Sequence, residues 1–194
     1  MTLTSYPYYS KLENRYVFIA SFCENGDLLS QWKGYANYGE GYSISIPINA
    51  LKEIPNVVIG RVIYNDTRKD AIIDKIIKGI LEDKENYDRI GEEKFLETVF
   101  LLIEYFSCFF KSQFFEEEKE WRLVFHYKEE FGYKIIHRIS KYGTIPYVEI
   151  DIPKGVESIE NIIVGPKYEI TLNRKALIGI FDAKKIQKSS NSLQ

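Results

Sequence analysis

The feature that most limits how this chain can fold is a change of period along its length, with helical stripes in the middle and strand patterns on both sides. Ile72, Ile73, Ile76, Ile77, Ile80 and Leu81 recur at helical spacing, which predicts a helix over 67–82 with one apolar face. Phe95, Leu96, Val99, Phe100, Leu102, Ile103 and Phe106 predict a second helix over 92–110. It is apolar nearly all round near its end, and so is expected to be central and buried. Before the helices, residues 16–22 form a compact apolar run of strand length, and residues 42–46 alternate large and small side chains. Residues 57–64 read as another strand, with Gly60 marking a bulge. After the helices come strand patterns over 121–127, 135–139, 147–152 and 161–164, then a short helix near 172–180. Strands flanking a helical pair, without a regular βαβ repeat, predict an α+β fold with a mixed or antiparallel sheet and a packed helical pair. The strands carrying Ser21 and Trp121 are expected in one sheet, with the two helices packed against it.

At 194 residues the chain is long enough for one sizeable core. It shows no internal repeat, no Ser- or Pro-rich linker and no low-complexity block, so residues 1–194 are read as a single domain. The first dozen residues and the polar tail 184–194 are expected to be peripheral. A composition of 45% hydrophobic and 28% charged residues excludes a disordered chain. A net charge of −2 gives no general attraction to nucleic acid or anionic membrane. Cys23, Cys108, His126 and His137 lack metal-type spacing, so no metal is expected. Two isolated cysteines suit a reducing compartment. With no spanning apolar run and no signal-peptide pattern at residues 1–6, the expected location is cytoplasmic, without a membrane partner.

Three segments carry residue types suited to chemistry. Residues 21–36 pack a strand end, a turn and polar groups together, with Asp27 a candidate cap for a helix through Trp32. As a ligand platform, Ser21 and Gln31 offer hydrogen bonds while Trp32 and Tyr35 offer stacking faces. As plain architecture, the same stretch is a capped turn with Trp32 in the core. The second segment, Glu118-Lys119-Glu120-Trp121-Arg122, runs into a strand, which would project Glu118, Glu120 and Arg122 from one face. Such charges on a sheet face call for pairing or for a ligand, and both readings stay open. The third, Gly165-Pro166, ends a strand in a tight turn whose amides are better read as structural than as a phosphate cradle.

Taken in order, Ala20-Ser21-Phe22, Asp27-Leu28-Leu29-Ser30-Gln31-Trp32-Lys33-Gly34-Tyr35-Ala36, Gly41-Tyr42-Ser43-Ile44, Phe115, Glu118-Lys119-Glu120-Trp121-Arg122-Leu123, Ile145-Pro146-Tyr147 and Ile162-Ile163-Val164-Gly165-Pro166 resemble a bacterial family known as domain of unknown function 2971. The resemblance covers roughly residues 16–182. That family is distantly similar to ADP-ribosyltransferases, which implies an ADP-ribosyltransferase-like fold and NAD as substrate, with no metal. It also implies Glu120, the flanking Glu118 and Ser21 as catalytic residues, with Gln31, Trp32, Tyr35 and Arg122 binding the nucleotide. A fixed carboxylate facing the oxocarbenium-like state of nicotinamide–ribose cleavage suits that chemistry. The family type implies an effector in bacterial conflict, such as phage defence or a toxin, whose macromolecular target is left unspecified.

Family members begin with a His-Tyr-Thr-like segment well before the Ser strand, whereas Ser5-Tyr6-Pro7-Tyr8-Tyr9-Ser10 has no His and lies close to Ser21. Three explanations stay open: a shortened member, a start that lies upstream, or a partner chain that supplies the element. Two functions follow. One is a domain that cleaves or binds NAD; the other is a non-catalytic module for a nucleotide or protein that lacks the N-terminal NAD-binding element.

Overall fold

The structure is a computed structural model that describes residues 2–4, 16–82, 88–89, 91–140 and 143–191. Its strands are β1 (Thr2–Thr4), β2 (Val17–Cys23), β3 (Tyr42–Ser45), β4 (Val57–Arg61), β5 (Glu120–His126), β6 (Ile136–Ser140), β7 (Gly143–Glu149), β8 (Asn161–Val164) and β9 (Ile186–Lys188). Its helices are α1 (Leu29–Tyr35), α2 (Ile48–Lys52), α3 (Asp66–Glu82), α4 (Glu92–Ser107) and α5 (Ile170–Leu177). Six strands form one antiparallel sheet in the order β4-β5-β2-β1-β7-β6. Three more form a small second sheet, β3-β8-β9, in which β8 and β9 run parallel. The chain is thus α+β, as its periods predict.

Period-2 alternation along β2 and β5 decides what each face of the large sheet meets. Phe18, Leu123 and Phe125 point to one side and pack with Val148, Leu51 and Ile54 in the main core. Val17, Ile19 and Val124 point to the other side, where Tyr105, Cys108 and Phe109 at the end of α4 cover them. Burying a side chain of this size contributes about 1.5–3 kcal/mol, so both layers hold the strands in register. The Ser21 and Trp121 strands are direct neighbours, with Ser21 opposite Arg122 and Phe22 opposite Trp121. Helices α3 and α4 pack against each other on the Val124 side.

Several expectations are corrected. Thr2–Thr4 is not peripheral: it lies between β2 and β7, pairing Thr4 with Ile19 and residues 2–4 with 149–147. Three polar-rich residues are too few to show a period. The tail is likewise anchored, because Ile186 is buried and 186–188 pair with 162–164. Helix α4 is not buried all round. Leu96, Phe100, Leu102 and Ile103 are exposed, Phe100 by 61%, since the helix meets the sheet only through its C-terminal end. Gly60 makes no bulge, as β4 stays in continuous register with β5. It allows close approach instead, for a Cβ there would lie 2.9 Å from a Phe109 ring carbon. The amides after β8 are taken up by the loop 39–41, Gly165 N–H donating to the Gly41 carbonyl and Lys167 N–H to that of Gly39. The segment 5–10 and residues 83–87 lie outside the described residues.

Candidate functional site: an ionic cluster and an aromatic cleft on opposite faces

The end of β2 and the start of β5 divide the predicted residues between the two faces of the sheet. On the helical side, Glu120 sits at 2% exposure with every carboxylate oxygen engaged. Its Oε1 accepts from Arg122 Nε at 2.8 Å, and its Oε2 accepts from Lys111 Nζ at 2.9 Å. Ser21, on the neighbouring strand, lies directly opposite Arg122 on this face. Lys111 also reaches Glu118 Oε2 at 2.5 Å. Arg122 Nη1 donates to the Cys108 carbonyl at 2.6 Å, and the Glu120 N–H donates to Tyr64 Oη at 2.8 Å. Two acids and two bases therefore form a closed, neutral group that ties β5 to the segment following α4. The cluster follows from chain paths that the sequence conceals. Phe109 and Lys111 run beside Ile63, with Ile63 N–H donating to the Phe109 carbonyl and Lys111 N–H to that of Ile63.

Glu118 is not on the strand, as expected from the sequence, but ends a 3-10 helix over Gln113–Glu118. Lys119, at φ 43°, then turns the chain through a left-handed conformation before β5 begins. Glu118 and Glu120 nevertheless meet at Lys111, because that turn replaces strand alternation as the reason they share a partner.

Burial raises the Glu120 pKa, but the hydrogen bonds from Arg122 and Lys111 outweigh it and hold the carboxyl below its ordinary value. For Lys111, burial lowers the pKa, and the hydrogen bonds to Glu118 and Glu120 reverse that and raise it. Cys23 is pushed up to about 11, first by burial and then by Glu118 and Glu120. Its thiol is therefore protonated at neutral pH and poorly suited to act as a nucleophile.

On the opposite side of the strands, a cleft of about 640 Å³ opens between the two sheets. Phe22 and Trp121 supply part of its wall, α1 supplies Gln31, Trp32 and Tyr35, and β3 supplies Tyr42 and Ser43. Ser21 also borders it, whereas Glu118, Glu120 and Arg122 do not line it. Among the described residues β1 pairs in register with β2 at Ile19, and residues 21–23 at the end of β2 line the cleft. The two indoles are fixed by carboxylates. Trp32, at 3% exposure, donates from Nε1 to Asp27 Oδ1 at 2.7 Å. Trp121 donates from Nε1 to Glu24 Oε1 at 3.0 Å and carries the Arg61 guanidinium 5.0 Å from its ring centre. Arg61 in turn pairs with Glu24 at 2.7 Å. Tyr35 stands 76% exposed at the mouth. Asp27 does not cap α1, whose N-cap is Leu28 without a side-chain hydrogen bond.

The sequence-derived set is thus split: Glu118, Glu120 and Arg122 meet in the ionic cluster, Ser21 lies beside them at the border of the cleft, and Gln31, Trp32 and Tyr35 meet in the cleft. Sequence reasoning missed Lys111, a lone cation ahead of the 116–118 acids, and Trp121 as a cleft wall. Among the described residues no group of three or more His, Cys, Asp or Glu is placed to hold a metal ion. No helix among them is long and apolar enough to cross a membrane.

The sequence model of the family described as Protein of unknown function (DUF2971) matches residues 31–123, a stretch that takes in Gln31, Trp32, Tyr35, Glu118, Glu120 and Arg122. No curated protein and no solved structure matches the chain.

Proposed function

We propose that this chain, whose residues 31–123 match the DUF2971 family model, is a nucleotide-binding domain that holds NAD or a related nucleotide in the cleft between its two sheets. The observation that carries this reading is the cleft itself: about 640 Å³, walled by Trp32 and Trp121, with each indole N–H fixed by a carboxylate. Pre-set aromatic faces lose little freedom on binding a flat ring. Gln31 and Ser43 supply hydrogen-bonding groups for its edges. The described residues lining the cleft include no Lys or Arg, so the ring and ribose supply the affinity and the phosphates extend toward solvent. NAD at millimolar concentration should raise the melting temperature, because a ligand that binds only the native state stabilises it by mass action. An unchanged melting temperature in a folded sample would overturn the proposal.

Cleavage of NAD, on an ADP-ribosyltransferase-like fold, is the second reading. It is favoured by one observation, the placement of Ser21 at the border of the cleft, directly opposite Arg122 and on the same face of the paired strands as Glu120. In that reaction the nicotinamide–ribose C–N bond breaks and its electron pair leaves with nicotinamide. An acceptor then bonds to the ribose carbon and gives up a proton. Glu120 would stabilise the developing positive charge and grip a ribose hydroxyl. Its present bonds to Lys111 and Arg122 would have to loosen for the carboxylate to do so. Glu120→Gln should then cut turnover by about a hundredfold or more. Equal nicotinamide release by Glu120→Gln and wild type would end this reading without touching the binding proposal.

A further inference from the structure

The segment that follows β9 bonds back onto the loop that precedes α1. Ser189 Oγ donates to Asp27 Oδ1 at 2.5 Å, and the Ser190 N–H and Oγ both donate to Oδ2 at 2.7 Å. Asn191 Nδ2 donates to the Asp27 backbone carbonyl at 2.7 Å. Trp32 Nε1 shares Oδ1 with Ser189. Ser189 is itself buried, and its N–H continues the small sheet by donating to the Val164 carbonyl at 2.9 Å. One carboxylate therefore joins residues more than 160 positions apart, with an indole in the wall of the cleft as its fourth side-chain or main-chain donor.

All of these donors are neutral. Burial alone would raise the Asp27 pKa, but the hydrogen bonds from Ser189, Ser190 and Trp32 overcome it and hold the carboxyl well below its usual range. The donors on this anion are aimed dipoles, and among the described residues none of its bonds comes from a cation. If 189–191 leaves, three of its four carboxylate bonds go with it, and water must replace them. Water at that point stands directly behind the indole of Trp32.

We propose that Asp27 is a positioning residue, and that residues 189–191 form a strap which fixes Trp32 in the cleft wall through it. The strap's effect on ligand affinity rests on the reading of the cleft as a nucleotide site. Its effect on Trp32 does not. Release of the strap keeps the pairing of 186–188 with 162–164 and loses only the Ser189–Val164 bond of the small sheet, but it frees the indole and wets the cleft wall.

The test uses Trp121→Phe, in which Trp32 is the only tryptophan, and compares it with the same chain carrying Asp27→Asn or ending at Lys188. Below the melting point of each variant, both changes should shift Trp32 emission to the red and raise acrylamide quenching severalfold. A merely structural role for Asp27 would lower the melting temperature and leave Trp32 as shielded as before. Unchanged emission and quenching in the folded chain ending at Lys188 would overturn the proposal, whatever Asp27→Asn does. In a Trp121-containing background, the chain ending at Lys188 should bind NAD about tenfold more weakly, a difference of about 1.4 kcal/mol. If the parent binds no NAD, the cleft reading fails, and the quenching result still decides the strap.

Discussion

The two faces of the β2–β5 ribbon are built from neighbouring residues and behave in opposite ways. Ser21, Glu120 and Arg122 turn to the helical side, where each charge has a partner and the carboxylate is closed to solvent. Phe22 and Trp121, one residue along in each strand, turn to the other side and wall an open cleft. Polar residue types thus mark the closed face, and apolar ones mark the face with room for a ligand. The contrast warns against reading charged residues on a strand as a site: partners determine whether such a group is available. It also separates two roles that substitutions can address one at a time.

Breaking the closed face should have the largest effect. Lys111→Met removes the cation shared by Glu118 and Glu120 and leaves two carboxylates crowded in a largely buried place. Loss of one partner from such a group costs about 3–5 kcal/mol, to be read as a lower urea midpoint with an unchanged slope. Glu120→Gln should cost less, about 1.5–3 kcal/mol, the range for a hydrogen bond to a charged group. The same variant sharpens the pH comparison. Glu120 has a depressed folded pKa, so its stabilisation is present above the unfolded value and is lost as pH falls through the folded one. Wild type should therefore lose stability in acid more steeply than Glu120→Gln, as chemical unfolding at a series of pH values would show. Parallel acid limbs would mean that Glu120 gains nothing from its partners. Lys111 has the opposite sign, since its raised pKa keeps its contribution until pH climbs through the folded value in alkali.

The smallest expected change in stability lies on the open face. Tyr35→Ala alters an exposed side chain and should stay within about 0.5 kcal/mol of wild type. Loss of an aromatic contact of about 0.5–1.5 kcal/mol should nevertheless weaken NAD binding severalfold by calorimetry. Tyr35→Ala binding NAD as tightly as wild type would remove Tyr35 from the cleft's working surface.

What could be read from the sequence depended on how far apart the interacting residues are. Helix α3 and strand β5 were legible from local period, and face alternation placed the Ser21 and Trp121 strands in one sheet, but their direct pairing was not legible. Glu120 and Arg122, two positions apart, were legible as a possible ion pair from the same alternation. Lys111 was not, since its meeting with Glu120 depends on the segment 108–111 folding back beside Ile63. Lys119 misled in another way. A left-handed residue at the strand entrance leaves no period to detect, so Glu118 was placed on a strand that starts two residues later. Asp27 resembled a helix cap because Asp before a helix commonly is one. Its real partners, Ser189 and Ser190, lie beyond any local pattern. The exposed flank of α4 shows the limit of composition, as apolar residues all round a helix do not ensure cover all round.

Gly60 has no side-chain carbon, and that absence governs how closely Phe109 approaches the sheet. The Phe109 ring lies within 2.9 Å of where a Cβ would be, and Arg122 is the cross-strand neighbour of Gly60. The distance from the helical layer to the sheet is therefore determined by the absence of a single carbon on β4. Phe109 is two residues from Lys111 and next to Cys108, whose carbonyl holds Arg122. A methyl group added at Gly60 would act as a wedge, lifting the cation and the carbonyl together from one side of Glu120. The charge cluster is tuned from a residue that carries no charge, and the tolerance of that corner is set by one aromatic ring packed against bare backbone.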